Sequence, residues 1–268
     1  MSHAGRLVET PVIILCGGKG IFLTEKENKR TNKGLILVNE KPMVYWVMLN
    51  YAQYGATEFF LAVGFQGEAF NGVLISLGAE VIDYEQRSYS ISLAGNECKI
   101  WIVASNPEAT TGSRLLSCRV ALNVLGQREN FSVAYSDTLC DVNLGEQLDF
   151  HEKHGRIATV LSAKLPVRFR VLGVRPNEAM VRGFASRPVI ESSRVNGGFY
   201  FLNTKFWEFT TSLSEHTPLE NQPLEELALA NQLMAFEHNG FWQTCDSERD
   251  LVQLEEIAHN ISNMAKLA

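Results

Sequence analysis

The stretch Pro11-Val12-Ile13-Ile14-Leu15-Cys16-Gly17-Gly18-Lys19-Gly20 decides how the rest of the chain is read. A continuous apolar run, rich in β-branched side chains, ends abruptly in glycines. Such a run is what a strand buried on both faces of a parallel sheet needs, because helices cover both faces and no side chain reaches water. The glycines mark a turn at the strand's carboxyl end, where backbone N–H groups can approach a phosphate with no Cβ in the way. The spacing is neither that of a P-loop nor G-x-G-x-x-G, which disfavours a Rossmann dehydrogenase. On its own the turn could equally be a tight strand-to-helix connection.

Beyond this turn the pattern alternates between periods. Met43, Val47, Tyr51 and Tyr54 fall at helical spacing, with Gly55 as a C-cap. Glu58 to Val63 predicts a strand, followed by a helical segment to about Leu77, and Lys99 to Ala104 predicts another strand. After a Thr110-Thr111-Gly112 turn, Leu115, Cys118, Leu122 and Leu125 form an apolar helical stripe that leads into the strand Phe131 to Tyr135. That strand ends at Ser136-Asp137, and ligands of such sheets bind beyond the carboxyl ends of strands. Residues 157 to 203 change to short β-rich runs, Ala158 to Ala163, Arg170 to Val174 and Gly198 to Leu202. A helix at Leu224 to Ala230, a strand at Leu233 to Glu237 and a closing helix with Leu251, Leu254, Ile257 and Ile261 complete the chain. No repeat, low-complexity segment or linker interrupts it. The pattern therefore predicts one domain over 1–268, with halves at about 11–140 and 141–268 sharing one sheet.

Composition sets limits on the partners. The 268 residues are enough for a substantial core without disulfides or structural metal. A formal charge of -6 with dispersed Lys and Arg argues against gripping a nucleic-acid backbone. The five cysteines are odd in number and show no C-x-x-C pair, so they predict reduced thiols of a cytoplasmic protein. The run Val12 to Cys16 is too short for a signal sequence or a membrane span. His151 and His154 have a metal-pair spacing without an evident third ligand, which predicts a helix surface instead. Asp137 and Asp141, four apart, are a weak match to the metal acids of a glycosyltransferase.

Taken together, several stretches resemble the sugar-phosphate nucleotidyltransferase family, and within it the glucose-1-phosphate cytidylyltransferases. They are Ile14 to Gly18, Glu40-Lys41-Pro42-Met43, Thr111-Gly112-Ser113-Arg114-Leu115, Tyr135-Ser136-Asp137, Asp149 to Gly155, Val195-Asn196-Gly197-Gly198-Phe199 and Leu233 to Gln243. The resemblance runs from about Val12 to Glu255. It implies an α/β fold: a mostly parallel, Rossmann-like sheet flanked by helices, with a mixed acceptor-binding subregion. It implies transfer of a cytidylyl group from CTP to a sugar 1-phosphate or other small phosphate, with release of pyrophosphate. Such chemistry needs little covalent help and much neutralisation of phosphate charge.

By the same resemblance, Lys33 holds the triphosphate near the reacting phosphorus, and Asp137 with Asp246 holds Mg²⁺, for which hard oxygen ligands are suited. Leu15, Cys16, Gly17, Gly18, Lys19, Gly20, Thr111, Gly112 and Arg114 would bind the nucleotide. Arg187, Asn196, Gly197 and Glu220 would bind the acceptor, and a homo-oligomer is implied. Each residue also has a plainer reading. Lys33 could be solvated, Asp137 a strand-end cap, Asp246 the N-cap of the last helix, Arg114 a helix-start charge and Asn196-Gly197 a turn.

The chain departs from the family pattern at several places. Threonine, arginine and leucine normally follow the glycine loop, and Ile21-Phe22-Leu23 stands here. Losing one preorganised donor costs roughly a hundred- to a thousandfold in rate, or about 3 to 4 kcal/mol. The usual lysine-proline step is Lys33-Gly34, the glycine-Asp-glycine element is Ser136-Asp137-Thr138, and the acceptor lysine aligns with Arg187. Arginine keeps that charge with a different reach. Lys164 to Arg170 lacks the glycine-containing acceptor loop. Two functions follow as expectations: an active cytidylyltransferase with an altered acceptor, or a catalytically impaired relative that binds a nucleotide in a regulatory or scaffolding role.

Overall fold

The computed structural model describes residues 5–18, 30–126, 128–166, 171–172, 184–185, 189–209 and 213–267. The main elements, in chain order, begin with β1 (Val12–Cys16), a 3-10 turn (Lys33–Leu35), α1 (Met43–Ala52), β2 (Glu58–Val63) and α2 (Ala69–Ser76). A hairpin of β3 (Glu80–Asp83) and β4 (Ser88–Leu93) follows, then β5 (Asn96–Ala104), α3 (Thr111–Val124) and β6 (Asn130–Tyr135). The second half holds a short strand Thr138–Cys140, α4 (Leu144–His154), β7 (Ala158–Pro166) and β8 (Val189–Asn203). It closes with α5 (Gln222–Leu229), β9 (Leu233–His238), a short strand Trp242–Thr244 and α6 (Glu248–Leu267).

One nine-stranded sheet carries the molecule, in the order β9-β7-β8-β6-β1-β2-β5-β4-β3. The central strands β6, β1, β2 and β5 are mutually parallel, in register Ile13↔Val133 and Ile13↔Phe60 across β1. β8 lies antiparallel between β6 and β7, and the β5-β4-β3 edge is antiparallel. The protein is therefore α/β with a mostly parallel centre, and strands from before and after residue 140 pair directly.

β1 is buried along its whole length, and its side chains divide between two helical layers. Val12, Ile14 and Cys16 pack with α1 and α6, whereas Ile13 and Leu15 pack with Leu115, Cys118 and Leu122 of α3. This is the period-two alternation of a strand with a helix layer on either side. α1 is buried nearly all round because α6 covers its outer face.

Two expectations are corrected. Thr110-Thr111-Gly112 is not a turn before a helix. Thr110 is the N-cap, its Oγ1 accepting from Ser113 N at 3.2 Å, and Thr111 and Gly112 are the first helical residues. His151 is not on a helix surface either. It is buried under the sheet, with Nδ1 2.8 Å from Thr159 Oγ1, and His154 Nε2 lies 2.7 Å from the same hydroxyl. The i, i+3 spacing there serves one buried hydroxyl.

Burial, and secondarily the neighbouring His154, pull His151 down to about 4. The unfolded chain binds a proton at this site near its ordinary value of about 6.5, so stability is lost as pH falls from about 6.5 towards 4. At the acid end the loss reaches roughly 3 kcal/mol. Thermal melts of wild type and His151→Gln between neutral and acid pH should show a shallower decline in melting temperature for the variant. Parallel declines would remove His151 from the account.

Candidate active site

The carboxyl ends of three adjacent parallel strands meet at one place. β1 runs into Gly17-Gly18, β2 into Gly64-Phe65-Gln66, and β6 into Ser136-Asp137. Asn32 joins them. It is fully buried, and its Nδ2 donates to the carbonyls of Cys16 and Phe65, each at 2.7 Å. Its backbone N–H donates to Gln66 Oε1 at 2.7 Å, and its Oδ1 accepts from Gly34 N at 2.9 Å to cap the 3-10 turn. Lys33 therefore springs from a backbone turn bolted to the ends of β1 and β2.

The Lys33 ammonium donates to Asp137 Oδ2 at 2.9 Å and to Asp246 Oδ1 at 2.7 Å. Lys33 is 16% exposed and the two carboxylates 23% and 24%, so the cluster is partly desolvated yet open on one side. Burial works against the charge on Lys33, but Asp137 and Asp246 outweigh it and push the ammonium up to about 12. It stays cationic through any physiological pH.

Asp246 reaches Asp137 through backbone. Trp242–Thr244 pairs antiparallel with Thr138–Cys140, and Cys245 N donates to the carbonyl of Asp137 at 2.8 Å. Asp246 lies two residues before Glu248, the first residue of α6. Its Oδ2 accepts from Thr244 Oγ1 at 2.8 Å, while Asp250 accepts from Asp246 N and Ser247 Oγ at the helix start.

The glycine loop is described through Gly18, and Lys19, Gly20 and the Ile21-Phe22-Leu23 departure lie outside the described residues. Arg114 folds beneath Gly17. Its Nη2 donates to the Gly17 carbonyl at 3.1 Å, and a Cβ on residue 17 would lie 1.8 Å from its guanidinium carbon, so any larger residue there would push the guanidinium aside. Arg114 is buried, burial pulls its ionisation down, and its Nε has no hydrogen-bond partner among the described residues. It is a desolvated cation at the carboxyl edge, not a solvated helix-start charge. Leu15 and Cys16 are buried in the strand, and burial pushes the Cys16 thiol up, away from nucleophilic character.

Thr111 and Gly112 are engaged by the protein itself. Thr111 Oγ1 accepts from Leu219 N at 2.9 Å and donates to Glu220 Oε2 at 2.6 Å, and Gly112 backs onto the Thr217 carbonyl. Glu220 also accepts from the Tyr135 hydroxyl. Tyr135 lies 3.2 Å from Tyr200, whose hydroxyl is 2.6 Å and 2.8 Å from the amide nitrogen and oxygen of Asn196. A continuous chain thus links Thr111, Glu220, Tyr135, Tyr200 and Asn196. The Gly197 carbonyl accepts from Trp242 Nε1 at 2.8 Å. Arg187 lies outside the described residues. Asp141, by contrast, points to His238 Nε2 at 3.0 Å and takes no part in the Lys33 cluster.

Two of the departures from the family pattern face each other. A Cβ on Gly34 would sit 2.8 Å from Ser136 Oγ and 2.9 Å from Ser136 Cβ. Extra bulk at 136 has been met by lost bulk at 34, so the pair fills the space once.

A fold of this kind, with an acid pair and a lysine at the carboxyl ends of its central parallel strands, is that of a nucleotide-handling transferase. The nucleotidyl transferase family model matches residues 11–253, and the chain belongs to that family. Glucose-1-phosphate cytidylyltransferase of Salmonella typhimurium is 31% identical, over 91% of this chain and 94% of its own. Mannose-1-phosphate guanyltransferase of Hypocrea jecorina is 27% identical over 90% of this chain and 62% of its own. The crystal structure of HddC from Yersinia pseudotuberculosis complexed with GMP-PN superposes with a TM-score of 0.64, at 15% identity, covering 92% of this chain and 98% of that one.

The facing pair makes a double-mutant cycle decisive. Gly34→Ala alone should cost roughly 1 to 3 kcal/mol through overpacking against Ser136. Adding Ser136→Gly should recover most of it, a coupling of about 1 kcal/mol or more, read by urea denaturation. Additive effects would mean that the two positions do not share space.

Proposed function

We propose that the protein transfers a cytidylyl group from CTP to a small phosphorylated acceptor, a sugar 1-phosphate or a related phosphate, and releases pyrophosphate. The observation that carries this reading is the convergence of Lys33, Asp137 and Asp246 at the carboxyl ends of β1 and β6. An acceptor phosphate oxygen forms a bond to the α-phosphorus as the bond from that phosphorus to the bridging oxygen of the β-phosphate breaks. Pyrophosphate leaves with the electron pair, and no protein nucleophile is needed.

The donor set suits Mg²⁺. Two carboxylate oxygens already hold one cation, the Lys33 ammonium, at a common point. Among the described residues no third acid, histidine or cysteine joins them, which leaves the remaining positions to phosphate and water, as Mg²⁺ prefers. When bound between Asp137 and Asp246, Mg²⁺ would neutralise phosphate charge and fix the triphosphate. Lys33, its backbone held by Asn32, supplies a permanent positive charge to the same phosphates. Arg114 places a desolvated guanidinium, with one N–H unpaired among the described residues, beside the turn that would receive the nucleotide. Gly17 and Gly18 present backbone there, Thr111 and Gly112 open α3 beside it, and the assignment of Lys19 and Gly20 to the nucleotide rests on the family resemblance.

On the acceptor side, Asn196, Gly197 and Glu220 lie on one hydrogen-bonded framework, and Arg187 supplies charge for the acceptor phosphate. CTP as the donor is supported by the likeness to the cytidylyltransferase relative over 91% of the chain. A homo-oligomer accords with the family resemblance. No helix among the described residues is long and apolar enough to cross a membrane.

Pyrophosphate release with Mg²⁺, each of the four triphosphates and a panel of phosphorylated acceptors tests the reading. CTP with at least one acceptor should turn over, and Asp137→Asn should lower the rate by roughly a hundredfold or more. CTP binding by calorimetry with no turnover above Asp137→Asn for any acceptor would favour the impaired, regulatory reading that Phe22 suggests. Phe22→Arg should raise kcat about tenfold or more if the loop keeps its family geometry. No gain would mean that the loop serves another ligand.

A further inference from the structure

Lys33 occupies the very oxygens that the proposed function assigns to a metal. Its ammonium contacts Asp137 Oδ2 and Asp246 Oδ1, and a second oxygen of each acid has a neighbouring hydroxyl, Thr244 Oγ1 at 2.8 Å from Asp246 Oδ2 and Thr138 Oγ1 at 3.4 Å from Asp137 Oδ1. The backbone of Lys33 is fixed by the Asn32 turn and by its N–H to the Gly18 carbonyl at 3.4 Å, but its four-carbon stem is free to swing. The stem lies along Gly18, where a Cβ would come 3.7 Å from Lys33 Cδ, so rotation about its own bonds can carry the ammonium from the acids without moving the turn.

A free divalent cation entering between the carboxylates would have to displace a charge-assisted pair. It would then leave the ammonium beside a dication with no counter-charge. Among the described residues only two carboxylates meet there, which leaves that charge without an offset. A triphosphate can offset it, because its oxygens accept the ammonium as the metal takes the acids. We propose that Lys33 is a built-in competitor of the divalent cation: it closes the Asp137–Asp246 pair to free metal and yields it only to a metal–triphosphate complex. This rests on the assignment of Asp137 and Asp246 to a metal made above. Metal and nucleotide then enter as one unit, and Lys33 passes from the acids to the phosphates in the same step.

The test follows Mn²⁺ binding by the EPR signal of free Mn²⁺, with no turnover required. Wild type, Lys33→Met, Lys33→Gln and Lys33→Met/Asp137→Asn are each titrated with and without α,β-methylene CTP. Nucleotide-free Lys33→Met and Lys33→Gln should bind one Mn²⁺ about tenfold tighter than wild type or better, a gain abolished by Asp137→Asn. Wild type should take up its Mn²⁺ only with the analogue. If wild type does so but neither lysine variant gains affinity without nucleotide, the competition is refuted and the metal assignment stands. If no form binds Mn²⁺ beyond what the analogue itself holds, the metal assignment falls and the inference with it. Should the variants fail to fold, the Lys33 ammonium ¹⁵N resonance of wild type decides. It should be unmoved by Mg²⁺ alone and shift with Mg²⁺ plus analogue, and a shift at sub-millimolar Mg²⁺ alone refutes the proposal.

Discussion

Backbone pairing between Thr138–Cys140 and Trp242–Thr244 forces two carboxylates that repel each other onto a single ammonium. The two carboxylates on their own would move apart. The ribbon and the Cys245 N–H to Asp137 hold them together, and Lys33 offsets the repulsion that results. The same short strand anchors the acceptor side, since Trp242 holds the Gly197 carbonyl and Thr244 holds Asp246. One ribbon of three residue pairs therefore sets the distance between the place where charge must be neutralised and the place where an acceptor would sit. That Trp242 is only partly exposed and Cys245 is buried shows that the ribbon is packed into the body of the domain and is not a surface flap.

Two of the departures from the family pattern have to be judged together. Gly34 and Ser136 read in sequence as two separate losses, a missing proline and a bulky residue beside the metal acid. In space they are one exchange, because the serine fills the volume that a side chain at 34 would claim. The 3-10 turn that carries Lys33 gains its rigidity from Asn32 instead, through four hydrogen bonds to the ends of β1 and β2 and to Gly34. The position of Lys33 is set by these contacts and not by a proline at 34.

Much of this was legible in the sequence where long-range order has a local signature. The apolar run of β1 and the β-rich run of β2 stand where their patterns place them, and strand ends at Cys16 and Tyr135 locate the loops that carry the site. Lys33, Asp137 and Asp246 were found through family resemblance, since a lone lysine or aspartate has no periodic signal. The ribbon strands were not legible because three residues are too few to show alternation. Asn32 was missed because a buried asparagine in a polar stretch looks like a solvated one, and only the topology that brings Cys16, Phe65 and Gln66 around it reveals its use. His151 misled for the converse reason. The lack of a third metal ligand suggested a surface, and the hydroxyl that satisfies it lies on the next strand, at Thr159.

The chain from Thr111 through Glu220, Tyr135 and Tyr200 to Asn196 gives the two sides of the site a common skeleton. Tyr135 is its centre, immediately before Ser136-Asp137, and burial together with Tyr200 and Glu220 holds its phenol well above the ordinary range. It therefore acts as a hydrogen-bond relay, not as an acid or base. A group arriving at Asn196 must break or share the Tyr200 contact, and the hydroxyls behind it must then reorient along the chain as far as Thr111 at the start of α3. Arg114 lies three residues further along that helix, under the glycine loop. Asn196 and the start of α3 are in this way joined by one chain of hydrogen bonds, so a change at either end can be felt at the other.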